Sequence, residues 1–202
     1  EIEAMSSVLQ GDQVAFEVSV SDLESESAFY STLAANQTIT VSDTAAILTG
    51  GNALLASAIH VVVTDDASVA EATTIRAVSA LDDEVVYSLS DSGANLAAGA
   101  VLNNAVNITA TDALTEAQAE VVADATNSGT NSYSVSAVDT TVSANPAAVD
   151  AYNGASTISI TGTTGIDVTQ AAAILAATNT GTTTIALVAD TSANLATLTL
   201  GA

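Results

Sequence analysis

One short pattern recurs along the whole chain: an alternation of apolar and polar residues that closes on a small polar residue and an aspartate. Clear copies read Ile-Thr-Val-Ser-Asp up to Asp43 and Tyr-Ser-Leu-Ser-Asp up to Asp91. Eight copies, three of them degenerate, end at residues 22, 43, 65, 91, 112, 137, 162 and 190. Their mean spacing of about 24 residues is typical of repeat proteins that carry one strand and one short helix in each repeat.

The alternation predicts that each copy is a strand with one buried face. The predicted buried residues are Val18, Val20, Ile39, Val41, Val61, Val63, Tyr87, Leu89, Ile108, Tyr133, Val135, Ile158 and Ile160. Ala-rich stretches with apolar residues at helical spacing lie between the strands, as at 113–125 and 168–177. Pro146 falls in one of these stretches and predicts a weakened or shortened helix there.

The copies alternate between two kinds. In one kind the helix follows directly on an Asp-Thr or Asp-Ser pair, at 43–44, 91–92, 139–140 and 190–191. In the other it opens with a capping box, in which two side chains bond each other's backbone amides. The predicted boxes are at 21–24, 68–71, 115–118 and 167–170. Both series recur about every 48 residues, so either a 24-residue unit or a 48-residue pair fits one coil.

A strand-helix unit of this size cannot bury its own apolar face, so each copy has to stack on the next. The sequence therefore predicts an α/β repeat solenoid with a parallel sheet on one side and short helices on the other. We expect a single continuous domain over 1–202, with a leading helix at 1–13 followed by eight strand-helix repeats. Neither end of the sequence reads as a polar cap, which predicts an array open at both ends.

Charge and composition exclude several classes of function. The chain has 23 acidic residues and one basic residue, Arg76, for a net charge of −22. Binding to nucleic acid or to an anionic membrane surface needs clustered Lys and Arg, so neither is expected. No stretch reaches the roughly 18 apolar residues of a membrane span, which predicts no membrane insertion. The absence of cysteine excludes disulfides and thiolate metal sites.

The Asp-Thr or Asp-Ser turn followed by Ala-Asn-Leu, between strands of the Ile-Thr-Val-Ser-Asp type, resembles repeats of very large secreted bacterial surface proteins. These are the giant cell-surface, adhesin-like and S-layer-like proteins of cyanobacteria and proteobacteria, and the resemblance covers 14–202. It implies an extracellular structural or adhesive role. The uncapped repeat array predicts a noncatalytic subunit or segment of a filament, fibril, surface layer or adhesin, whose partners are copies of the same chain or adjoining repeats. Ala137 and Gly162 replace the aspartate in two copies, which weakens any role given to it.

The recurrent turn aspartate has two interpretations. Stacked carboxylates could collect Ca²⁺, whereas a single carboxylate could accept the free amides at a helix N-terminus. Helix capping is the favoured interpretation, because no calcium-binding loop motif is present and acidic clusters such as 65–66 and 82–84 are typical of solvated surface. His60 is the only histidine and has no partner triad. We therefore predict no enzyme, no catalytic, cofactor-binding or metal-ligating residue, and no cofactor apart from possible Ca²⁺.

The outward faces of the strands carry many hydroxyl groups. The pairs include Thr38 and Thr40, Asn107 and Thr109, Ser132 and Ser134, and Thr157 and Ser159. Such a ladder gives an alternative function, a module that binds ice, a glycan or calcium. Glu17, His60, Val62 and Val86 interrupt the ladder, and hydroxyl groups are ordinary on an exposed strand face. A structural role is the leading hypothesis.

Overall fold

The computed structural model describes residues 15–30, 38–50, 55, 58, 60–78 and 85–198. These residues form an α/β structure in which every described strand pair is parallel. The chain divides into two compact units, Glu1–Leu89 with Asn104–Val106, and Ser90–Asn103 with Asn107–Ala202. The leading helix predicted at 1–13 lies outside the described residues. The α/β class with parallel strands is confirmed, and the continuous solenoid stays a prediction.

The first unit alternates short strands and helices. Its elements are β1 (Ala15–Val18), α1 (Val20–Ser25), α2 (Ser27–Tyr30), β2 (Thr38–Asp43), α3 (Ala45–Leu48), β3 (His60–Ala67), α4 (Val69–Val78) and β4 (Val85–Asp91, of which the last two residues belong to the second unit). The strands β1 to β4 pair in chain order. Their register places Val18, Val41, Val61 and Val85 side by side, and this row is buried. The alternating pattern thus becomes a layer of β-branched side chains.

The strand β3 is longer than its neighbours. Val62 pairs with Val86, but the next pair with β4 joins Asp66 and Ser88, so the register shifts between them. A shift of this kind is a bulge, which leaves residues of one strand without a counterpart on the other. Asp65 lies within the bulge and is exposed.

The second unit continues the alternation. Its elements are α5 (Gly93–Ala98), β5 (Ile108–Ala110), α6 (Glu116–Ala123), β6 (Asn131–Ser132), β7 (Val135–Val138), β8 (Ile158–Thr161), α7 (Val168–Leu175), β9 (Thr183–Ile185) and α8 (Ser192–Leu195). The strand β5 pairs with β6, and β7, β8 and β9 pair in chain order. Between β7 and β8 the chain makes three 3₁₀ turns, one of which starts at Pro146, instead of an α-helix. The predicted effect of Pro146 is confirmed, because proline fits the first turn and cannot donate an amide inside a helix.

The predicted core face is confirmed throughout. All thirteen apolar residues predicted to point inward are buried, with exposed fractions of 8% or less. The strand predicted to end at residue 22 in the first copy is nevertheless wrong. Residues 20–22 are helical, and the strand of this copy is Ala15–Val18. Val20 is buried as the first residue of α1 and not as a strand residue. No helix within the described residues is long and apolar enough to cross a membrane.

Candidate functional site

The turn aspartates are the recurring polar feature, and Asp43 shows their geometry in the first unit. One carboxylate oxygen accepts the amide of Thr44 at 2.9 Å, and the other accepts the amide of Val20 at 3.2 Å. Val20 is the first residue of α1, in the preceding repeat. The first amides of a helix have no partner inside the helix, so an outside carboxylate satisfies one of them and faces the positive end of the dipole. Asp43 therefore joins two repeats.

The same bond recurs at three other helices. Asp65 accepts the amide of Ala45 at 2.7 Å, Asp112 accepts that of Gly93 at 2.7 Å, and Asp190 accepts that of Val168 at 3.2 Å. In each case the donor is the first residue of its helix and the acceptor lies 19 to 22 residues further along the chain. The prediction that the turn aspartates cap helices is confirmed. The helix that each of them caps is that of the preceding repeat, not that of its own repeat.

Asp190 accepts two further hydrogen bonds. Its Oδ1 accepts the amide of Thr191 at 2.7 Å and the side-chain amide of Asn194 at 2.8 Å. The hydrogen bond from Asn194, followed by the backbone bonds from Thr191 and Val168, lowers the pKa of Asp190 below its ordinary value. Asp91 has the same local arrangement with Ser92 and Asn95.

Capping boxes open the helices of the other repeats. The predicted boxes at 115–118 and 167–170 are confirmed, and at 68–71 the two reciprocal bonds are also present. The box predicted at 21–24 is wrong. Ser19 and Asp22 form it instead, with Ser19 Oγ accepting the Asp22 amide at 3.1 Å. Asp22 is therefore an N-terminal helix residue that caps its own helix, and it is not a strand-ending turn aspartate.

The copy with Gly162 in place of aspartate uses another carboxylate. Asp139, which is 8% exposed, accepts the amides of Thr164 at 2.8 Å and Gly165 at 2.7 Å. A Cβ atom at Gly162 would lie 2.3 Å from the Oδ1 atom of Asp139, and Gly162 has a φ of 124°. Glycine is thus needed where the carboxylate of the preceding copy fills the space. Here the acidic side chain bonds forward to the next repeat.

A buried glutamate forms a second polar cluster that the sequence analysis missed. Glu116 is the first residue of α6, is 9% exposed, and accepts the amide of Ser143 with both oxygens, at 3.0 and 3.1 Å. The hydroxyl of Tyr152 also donates to Glu116. Burial and this carboxylate raise the pKa of Tyr152 above its ordinary range. One turn further along α6, Glu120 accepts the amide of Ala151 at 2.8 Å.

The available signal for this cluster was the i, i+4 spacing of the two glutamates, which places them on one face of α6. That face contacts the irregular segment around Pro146. Because this segment is not a regular α-helix, its backbone amides need hydrogen-bond acceptors from elsewhere. Together the two carboxylates replace the hydrogen bonds that a regular helix would supply. Their role is to hold a neighbouring repeat.

The remaining candidates form no reactive constellation within the described residues. His60 begins β3, is half-buried and lies opposite Thr40 in the register. No group of three or more acidic or histidine side chains in the described part of the chain has the arrangement of a metal site. Asp65 and Asp66 are exposed, and the cluster at 82–84 lies outside the described residues.

The hydroxyl face forms short rows. In the second unit Ser136, Ser159 and Thr184 lie side by side on β7, β8 and β9. In the first unit the register sets Thr40 beside His60 and Val62 beside Val86, so the row is broken where the sequence predicted. The longest aligned hydroxyl row in the described residues therefore spans three strands.

A shallow depression of about 340 Å³ lies on the second unit. Its lining residues are Ala123, Asn131, Tyr133, Asp150, Asn153 and Gly154. The Tyr133 hydroxyl is already engaged, since it donates to the Asn153 carbonyl at 2.7 Å. This lining includes one carboxylate and no nucleophile paired with a base.

Comparisons of the chain with protein-family models, with curated proteins and with solved structures find no significant match. The resemblance to bacterial surface-protein repeats stays a prediction that depends on the strand and turn motifs.

Proposed function

We propose that the chain is a noncatalytic structural protein of the bacterial cell exterior. In this proposal the repeats form a solenoid that serves as a subunit or segment of a filament, surface layer or adhesin, assembled by end-to-end stacking. The observation that carries the proposal is the recurring bond between a turn aspartate and the first helix amide of the preceding repeat.

This bond supports a structural role because it uses the acidic side chains between repeats. A binding or catalytic carboxylate is usually left available to its ligand, whereas these carboxylates accept amides at 2.7 to 3.2 Å. The bond also has a direction, since the aspartate of a later repeat satisfies the helix of the earlier one. A contact that each new repeat can make with the previous one suits an extensible array.

The charge suits the same role. With 23 acidic residues and one basic residue the chain repels itself and anionic surfaces, which favours solubility and limits nonspecific binding. Apolar stacking then has to supply the attraction between copies. Added salt screens the repulsion between the chains and so should favour their assembly.

Sedimentation velocity and negative-stain electron microscopy of the purified chain test the proposal. We expect particle mass to rise with protein concentration and elongated assemblies to appear on the grid. Samples in 6 M urea serve as the control for irreversible aggregation, because a stacked array should disperse there. Dispersed monomers at every concentration and salt level would contradict the proposal.

A second candidate function is binding through the hydroxyl face, which the aligned Ser136, Ser159 and Thr184 favour. A row of hydroxyl groups at the spacing of about 4.8 Å between strands can match a regular surface such as ice or a glycan. Thermal-hysteresis and glycan-binding assays check it, with Ser159→Leu as the variant that breaks the row. No response of the wild-type chain in either assay rejects this candidate.

A further inference from the structure

An asparagine-glycine pair lies where two successive repeats of the second unit meet. The Oδ1 atom of Asn153 accepts the backbone amide of Thr178 at 3.2 Å and the Thr178 hydroxyl at 3.3 Å. The amide of Gly154 donates to the carbonyl of Thr178 at 3.2 Å. Because Thr178 follows α7, these bonds join the segment after β7 to the next strand-helix repeat.

Further bonds hold Asn153 from its own repeat. The Tyr133 hydroxyl donates to the Asn153 carbonyl at 2.7 Å. The side-chain amide of Asn153 donates to Asp150 Oδ1 at 3.4 Å. The carbonyl and the amide of the 153–154 peptide bond and both polar atoms of the asparagine side chain are therefore engaged.

An asparagine followed by glycine can lose ammonia. The nitrogen of Gly154 attacks Cγ of Asn153, the bond between Cγ and Nδ2 breaks, and the amide proton leaves with the NH₂ group as NH₃. Water then opens the cyclic imide at Cγ to give aspartate, or at the backbone carbonyl to give isoaspartate. Glycine favours the attack because it has no Cβ atom and rotates freely. This pair is the only Asn-Gly in the chain, and both of its residues are exposed.

The folded conformation keeps the reacting atoms apart. Asn153 has a ψ of 130°, an extended conformation in which the Cα hydrogen, and not Cβ, lies beside the nitrogen of Gly154. Ring closure requires a rotation about ψ that brings Cβ and Cγ to this nitrogen. The bonds from Thr178 and Tyr133 oppose that rotation, so the contact between the repeats has to open first.

We propose that Asn153 is a modification site, whose conversion to aspartate or isoaspartate is limited by opening of the Thr178 contact and permanently weakens that contact. The conversion removes the donor to Asp150 and sets two carboxylates side by side, where burial and the charges of Glu120 and Asp150 already raise the pKa of Tyr133. Isoaspartate also lengthens the backbone by one carbon, which displaces the groups that bind Tyr133 and Thr178. The inference goes beyond the proposed assembly and is independent of it, since all these contacts lie within one chain.

Incubation of the purified chain at mildly alkaline pH, folded and in urea, tests the site. Peptide mass spectrometry and labelling with an isoaspartyl methyltransferase measure the conversion at Asn153. We expect it to be about tenfold or more slower in the folded chain, because local opening costs free energy. Gly154→Ala should slow the conversion in urea, since the added Cβ obstructs the attack. No conversion at Asn153 in urea, or equal rates in the two states, overturns the inference.

A threonine variant tests the limiting step. Thr178→Val removes the hydroxyl donor and should accelerate the conversion in the folded chain, while the rate in urea stays that of the wild type. Thr180→Val is the matched control, because Thr180 is exposed and does not bond to Asn153. A folded-state rate that Thr178→Val leaves unchanged, or that both variants raise equally, contradicts the limiting role of this contact.

The aspartate product can be introduced directly. We expect Asn153→Asp to lower the melting temperature by about 2 to 4 °C, through repulsion from Asp150 and loss of the side-chain donor. Asn145→Asp places the same charge on an exposed residue of the same segment and should leave the melting temperature near that of the wild type. Equal melting temperatures for Asn153→Asp and the wild type would show that aspartate at this position does not weaken the contact, and would overturn that part of the inference.

Discussion

At the scale of single residues, Gly162 lies where the carboxylate of Asp139, from the preceding copy, leaves no room for a side chain. A methyl group at Gly162 would lie 2.3 Å from the Asp139 carboxylate, at a φ of 124° that L residues avoid. We expect Gly162→Ala to lower the free energy of unfolding by about 2 to 4 kcal/mol, measured by urea denaturation. Gly154→Ala is the matched control, since Gly154 has a φ of 79° but nothing within 4 Å of the added atom. Its expected loss is about 1 kcal/mol; equal losses would mean that the carboxylate moves aside easily.

Tyr133 should make stability sensitive to alkaline pH. Burial, together with the negative charges of Glu120 and Asp150, raises the pKa of Tyr133 to about 12 from an ordinary value of 10.0. The folded state favours the neutral phenol, so this contribution is full below about pH 10 and is lost as the pH rises towards 12.

Urea denaturation between pH 8 and about 11.5 checks this. We expect the free energy of unfolding of the wild type to fall over the upper part of the range and that of Tyr133→Phe to fall less. A variant whose decline matches the wild type would show that Tyr133 does not control it. The variant also loses the bond to the Asn153 carbonyl, so its stability at pH 8 is the reference for its own decline.

At the scale of the strand-helix element, the bond between repeats is expected to stabilise each helix N-terminus. Asp112→Ala removes the acceptor of the Gly93 amide and should cost about 1 kcal/mol. Asp112→Asn should cost less, because its amide oxygen can still accept. Asp124→Ala, at the C-cap of α6, is the control and should not destabilise, since an acidic residue there opposes the helix dipole. Chemical denaturation of the three variants measures the difference, and equal values for Asp112→Ala and Asp124→Ala would contradict a capping role.

The strands and their buried faces were predictable because a period of two residues reports directly on which side chains share a face. The strand predicted in the first copy was wrong because the same alternation also occurs where a strand ends and a helix begins. Val18 and Val20 alternate whether or not the chain turns at Ser19, and both are buried. Two overlapping capping boxes, 19–22 and 21–24, fit the same residues, and only packing selects the first. The bulge in β3 leaves no local signal of this kind.

The partners of the turn aspartates could not be predicted from local spacing. Each carboxylate has a candidate amide in its own turn, as Asp43 has in Thr44, so the sequence is consistent with a cap on its own helix. The bond to the preceding helix depends on how far the strands are staggered, which is a tertiary property. The Glu116 and Tyr152 contact is likewise formed between residues 36 positions apart.

At the scale of the whole molecule, a net charge of −22 should make stability depend on salt. Repulsion among the carboxylates opposes folding, and screening reduces it as the Debye length falls from about 30 Å at 0.01 M salt to about 3 Å at 1 M. We expect the melting temperature to rise by roughly 2 to 5 °C over this range and to level off at the upper end.

The same measurement separates screening from a calcium site. Because the turn aspartates already accept amides, we expect CaCl₂ and MgCl₂ at equal ionic strength to raise the melting temperature equally. A hard-cation site built from carboxylates would instead bind calcium at concentrations well below those that screen charge. Such a site would prefer calcium over magnesium, because Ca²⁺ accepts more oxygen ligands than Mg²⁺ does. A calcium-specific rise at micromolar concentration, saturating before sodium has any effect, would contradict the capping role and favour a calcium-dependent surface module. Asp65→Asn with Asp112→Asn then identifies the turn carboxylates as the ligands if that rise disappears.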